Sequence, residues 1–128
     1  TIQTVLTLNP KRLIIVCAIR GSRGEQINQC NSNMLYSELA CSNTPVELII
    51  TESTDVVGAK DRVTQSEQVA FKNQLLNARF PIHEEPFLSD ALKLALATAQ
   101  EGDILLLLGA QGMDRAQEFI ADYLSVLV

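Results

Sequence analysis

Three short runs of aliphatic, often β-branched residues punctuate the chain: 13–19 (LIIVCAI), 46–51 (VELIIT) and 104–108 (ILLLL). A continuous apolar run of this length is the pattern of a strand buried on both faces. Between the runs the period changes. Leu88, Leu92, Ala95, Leu96 and Ala99 recur at helical spacing in 88–99, as do Ala116, Phe119, Ile120, Tyr123, Leu124 and Leu127 in 116–127. Strands that alternate with helices imply right-handed βαβ crossovers. The expected fold class is therefore α/β, a Rossmann-like three-layer sandwich with a mostly parallel sheet and helices on both faces.

Local signals refine that reading. Thr64 with Glu67, and Asp114 with Gln117, resemble capping boxes ahead of helices, while Gly102 and Asp103 end one helix and release the next strand. Residues 31–41 should be helical because a crossover must join the first two strands. The stretch 80–85 (FPIHEE) reads as a short edge strand, since Pro81 would remove a ladder hydrogen bond from a central one. The opening TIQTVLTLNP, with Ile2, Val5 and Leu6 at helical spacing, reads as the tail of a helix that begins upstream. Ligands of parallel sheets gather outside the carboxyl ends of the strands. Function is therefore expected in three loops, 19–30, 52–63 and 109–115.

Composition narrows the class further. At 128 residues, 47% hydrophobic and 20% charged, residues 1–128 are expected to form one folded domain. A net charge of -5 argues against nucleic acid or an anionic membrane surface as a partner. No apolar stretch approaches the roughly 20 residues of a membrane span and the start has no signal-peptide pattern, so a cytoplasmic protein is expected. Three widely spaced cysteines, Cys17, Cys30 and Cys41, with a single histidine, argue against a metal site or a disulfide framework. Cys17, inside an aliphatic run, reads as a core residue.

The corner Arg20-Gly21-Ser22-Arg23-Gly24 lacks the Lys-Ser/Thr of a phosphate-binding P-loop and the first glycine of a dinucleotide fingerprint. What it offers is two guanidinium groups, Arg20 and Arg23, each able to grip a carboxylate or phosphate through paired hydrogen bonds. The alternative is a solvated turn whose arginines pair with local acids such as Glu25. In the second loop Lys60 and Arg62 likewise suit an anion, or are simply solvated. Gly109 and Gly112 of the third loop allow close backbone approach to a ligand. Asp114 has helix capping as its minimum role and can also meet an ammonium group. His83 beside Glu84 and Glu85 has no nucleophile evidently tied to it and reads as an edge-strand histidine.

Taken in order, TVLTLNPKRLIIVCAIRGSRG, ELIITEST and above all DALKLALATAQEGDILLLLGAQGMD resemble the C-terminal, glutamate-ligase-type domain of the Mur ligase family, which includes folylpolyglutamate synthases and cyanophycin synthetases. The pattern is most similar to that of muramyl-tripeptide synthetases. Their loops carry Gly-Gly-Asp-Arg-Asp, Asp-Asn-Pro-Arg and Gly-Lys-Gly-His-Glu. The resemblance places Arg23 at the arginine of the first motif, and Gly109 with Asp114 near the glycine and acid of the third. It implies ADP-forming amide-bond synthesis: a substrate carboxylate becomes an acyl phosphate and the amine of an amino acid attacks it. ATP and magnesium would be held mainly by a separate central domain of a longer enzyme. This chain would supply no catalytic or metal-ligating residue; it would orient the incoming amino acid and close over the nucleotide and the carboxylate acceptor. Ser22 stands where the family has aspartate, residues 53–56 (Ser-Thr-Asp-Val) stand where Asn-Pro-Arg is expected, and the third loop lacks both the lysine and the histidine. Specificity for diaminopimelate or lysine is therefore not implied. A rival expectation is a stand-alone, non-catalytic Rossmann-like or flavodoxin-like binding module.

Overall fold

The computed structural model describes residues 2–109 and 111–127. Four strands, β1 (Leu13–Ala18), β2 (Val46–Thr51), β3 (Ile82–Glu85) and β4 (Ile104–Leu108), form one sheet in the order β3-β2-β1-β4, with every described pairing parallel. This is the Rossmann order; in a flavodoxin-like sheet β1 would lie between β2 and β3. The flavodoxin-like form of the rival expectation is thereby corrected. β3, expected at an edge, lies there, and Pro81 stays outside it, lending its carbonyl to Leu48 N–H at 3.0 Å.

Five helices flank the sheet: α1 (Ile2–Leu6), α2 (Glu25–Ala40), α3 (Gln65–Asn73), α4 (Leu88–Thr98) and α5 (Ala116–Leu127). Strand alternation divides the core between the two faces. Leu13, Ile15, Cys17, Leu48 and Ile50 meet Ile2, Leu35, Leu39 and Phe71 of α1–α3 on one side. Ile14, Val16 and Ile49 meet Leu88, Leu92 and Ala95 of α4 and Ala116 of α5 on the other. The three-layer α/β sandwich follows directly, with β1 buried along its whole length.

Two boundaries differ from expectation. The crossover helix α2 begins at Glu25 and not near residue 31, which shortens the first loop to 19–24. Its buried positions include Asn28 and Ser32, so half its inward face is polar and the apolar period is masked. α5 begins at Ala116, one residue beyond where an Asp114 cap would place it. Among the described residues Asp114 accepts no hydrogen bond and is exposed; a 3₁₀ turn at Gln111–Met113 leads into the helix instead. No helix is long and apolar enough to cross a membrane among the described residues.

Candidate functional site

With the order β3-β2-β1-β4, the chain reverses its direction of growth between β1 and β4, and the crevice beyond their carboxyl ends is where ligands of such sheets bind. The loops that follow β1, β2 and β4 meet on this rim, and their contacts are specific. Gly21 lies so close to the second loop that a Cβ there would fall 2.0 Å from the Asp61 carbonyl oxygen. Gly112 packs over Ala18 and Ser53, where a Cβ would come within 2.7 Å of the Ala18 methyl. The buried Ser53 hydroxyl donates to the Gly112 carbonyl at 2.6 Å, tying the second loop to the third. Asp55 accepts from Leu88 N–H at 2.7 Å and Ser89 N–H at 3.1 Å, so that this acid caps α4.

The corner at 20–24 proves to be an anion cradle that the protein fills itself. Ser22 adopts a left-handed backbone (φ 59°), which helps turn successive N–H groups inward as a concave nest. Into it projects the carboxylate of Glu67, which accepts from the N–H groups of Ser22 (3.2 Å), Arg23 (3.0 Å) and Gly24 (2.9 Å). The same side chain closes the capping box of α3, accepting from Thr64 N–H at 3.0 Å while Thr64 Oγ1 accepts from Glu67 N–H at 3.2 Å. Burial pushes this carboxyl group towards the neutral form. The hydrogen bonds from Thr64, Gly24 and Ser22 outweigh burial and hold its pKa at about 2. Asn28, fully buried, fastens both ends of the corner by donating to the carbonyls of Arg20 (3.0 Å) and Gly24 (2.9 Å). The capping box was legible in the sequence; the second use of Glu67 was not, because its partners lie more than forty residues away.

The backbone of this corner is thus committed, which leaves the side chains to meet a ligand. Arg23, Lys60 and Arg62 are exposed and Arg20 is half-buried. Among the described residues none of the four forms an ion pair, Glu25 included. Arg20 Nε is buried without a hydrogen-bond partner among the described residues. Gly109, at φ 145°, closes against Ala18, leaving the ends of β1 and β4 in contact. Arg20 and Gly109 line a cavity of about 210 Å³ at the switch point, together with Cys17, Leu35, Phe71 and Leu108. A larger cavity, about 580 Å³, lies at the opposite rim around Pro45, Arg79 and Pro81, away from the carboxyl ends of the strands.

Other candidates are structural. Burial pushes the Cys17 thiol up to about 12, so it stays neutral. His83 lies on β3 with Nε2 4.0 Å from a Glu47 oxygen. No group of three His, Cys, Asp or Glu side chains is placed to hold a metal ion among the described residues. No protein-family model matches the chain, and no curated protein matches its sequence.

Proposed function

We propose that the chain is the substrate-orienting C-terminal domain of an ATP-dependent, ADP-forming acid–amino-acid ligase of the Mur type. The observation that carries this reading is the convergence of three loops on one rim, fastened through Gly21 to Asp61 and through Ser53 to Gly112, with Arg20, Arg23, Lys60 and Arg62 there forming no ion pair among the described residues. The resemblance in DALKLALATAQEGDILLLLGAQGMD adds to it.

In this reading ATP and magnesium are held mainly by another domain. The cradle that would suit a phosphate holds Glu67, and no cluster of acids is arranged around a metal position among the described residues. In this reading the nucleotide belongs to another domain, and what this chain does is bind and orient. Arg23, Lys60 and Arg62 neutralise a carboxylate or phosphate at the rim, and the exposed Asp114 meets the ammonium group of the incoming amino acid. Holding the amine against the activated acyl group lowers the barrier through proximity.

The test is amino-acid-dependent ADP release by the enzyme that carries this chain. Arg23→Ala should raise the amino-acid KM or lower kcat by about tenfold with the fold intact, the effect of one lost charged hydrogen bond. Unchanged kinetics would remove Arg23 from the site. Titration of the isolated chain with ATP should show no tight binding; a micromolar Kd would contradict the division of labour.

A further inference from the structure

The 210 Å³ cavity at the switch point has a composition that the rim loops do not explain. Its floor and walls are apolar: Cys17 and Leu108 from the strands, Leu35 from α2 and Phe71 from α3. Three polar side chains also line it, Arg20, Asn31 and Glu38, and among the described residues none of them makes an intramolecular side-chain hydrogen bond or ion pair. Asn31, Leu35 and Glu38 are spaced at four and three along α2, which sets them on one face of that helix.

The two opposite charges reach the cavity from different places in the backbone. The Arg20 carbonyl is tied to Asn28 at the start of α2. Glu38 lies further down the same helix, about 15 Å along its axis from Asn28 at 1.5 Å per residue. The Arg20 Nε–H, buried without an acceptor among the described residues, has lost hydration and gained nothing in exchange. An anionic head beside it would restore that loss. The apolar walls accept a hydrocarbon chain, and Glu38, whose backbone lies further along α2, repels a second negative charge.

We propose that this cavity binds a short amphiphilic monocarboxylate, head against Arg20 and aliphatic tail along Leu35, Phe71 and Leu108, with Glu38 selecting against dicarboxylates. Its volume, below the roughly 300 Å³ at which drug-sized pockets begin, limits the tail to a handful of carbons. The site shares Arg20 with the rim but uses none of Arg23, Lys60, Arg62 and Asp114, to which the ligase reading gives its roles. It is tested on the chain alone, without ATP or acceptor, so either can fail without the other.

Hexanoate, adipate and hexylamine are the probes, titrated into the 128-residue chain and followed by amide chemical shifts. Hexanoate should shift Leu35, Phe71 and Leu108 and bind at least tenfold more tightly than adipate or hexylamine. Arg20→Met should weaken hexanoate at least tenfold. Glu38→Gln, on the half-exposed side of a helix and safe for the fold, should leave hexanoate unchanged and bring adipate to within threefold of it. Absence of shifts at those three residues with hexanoate, equal binding of adipate and hexanoate by the unaltered chain, or no gain for adipate in Glu38→Gln would each overturn the proposal.

Discussion

The two rims of the sheet treat arginine in opposite ways. At the amino-terminal rim Arg12 is satisfied on every side: it donates to Asp103 at 2.7 Å and to the Thr98 carbonyl at 2.7 Å, and lies 3.4 Å from Glu47. Asp103 in turn is held below the ordinary carboxylate range, first by the Arg12 hydrogen bond and then by Gln100 N–H. At the carboxyl-terminal rim Arg20 and Arg23 have no acid partner among the described residues. The one buried acid there, Glu67, is spent on backbone N–H groups. One rim closes the fold and the other leaves Arg20 and Arg23 without an ion pair among the described residues. The difference lies in where the acids point, since Glu25, Asp61 and Asp114 are all near the open rim in sequence.

The comparison breaks first at Glu67. Replacing it with alanine leaves the N–H groups of Ser22, Arg23, Gly24 and Thr64 without their acceptor, and should cost about 3–4 kcal/mol in denaturant unfolding, at roughly 1 kcal/mol for each hydrogen bond lost. The carboxyl group also makes the open rim acid-sensitive. Its pKa of about 2 lies below the ordinary 4.5, so its stabilisation is fully present above pH 4.5 and is lost as the pH falls towards 2. That loss should reach about 3 kcal/mol by linkage. Glu67→Gln should flatten this part of the stability profile. A profile unchanged by Glu67→Gln would mean that the cradle is not what holds the corner.

Next in size is the fastening between loops. Gly112→Ala drives a methyl group into Ala18 and Ser53, and should cost about 1–3 kcal/mol, the usual penalty of overpacking. Ser53→Ala, which removes the bond to the Gly112 carbonyl without adding volume, should cost about 1 kcal/mol. If Gly112→Ala is as stable as the parent chain, the third loop is not seated on the second and the rim is not one surface.

How much of this was legible in the sequence depended on whether the partners were local. The strands could be read because each carries its apolar run within a few residues, and α4 because Leu88, Ala91, Leu92 and Ala95 repeat on one face. The Thr64–Glu67 capping box is equally local. α2 was half-read because its inward face uses Asn28 to close the corner and Ser32 to bond the Phe71 carbonyl at 2.6 Å, and neither contributes to an apolar period. The seven residues expected to bind, Arg20, Arg23, Lys60, Arg62, Gly109, Gly112 and Asp114, rest on one topological rule. That rule says which ends of the strands matter, but not which side chains are already engaged. Hence Glu67 is legible as a helix cap but not as the filler of the corner, Asp55 carries no local signal, and the cap expected of Asp114 does not form among the described residues.

The smallest effect sharpens the comparison most. Arg12→Met at the closed rim and Arg23→Met at the open rim remove the same charge from the same fold, so they separate an engaged arginine from a free one. Arg12→Met strips Asp103 and Glu47 of their shared partner and should lower the thermal midpoint measurably. Arg23→Met removes no side-chain hydrogen bond or ion pair among the described residues, where only the Arg23 backbone N–H is used, and should leave the midpoint within the scatter of surface substitutions, about 0.5 kcal/mol. Thermal unfolding of the two variants side by side measures this. An equal loss at both positions would mean that the Arg23 side chain has an intramolecular role, and would take it out of the set available to a ligand.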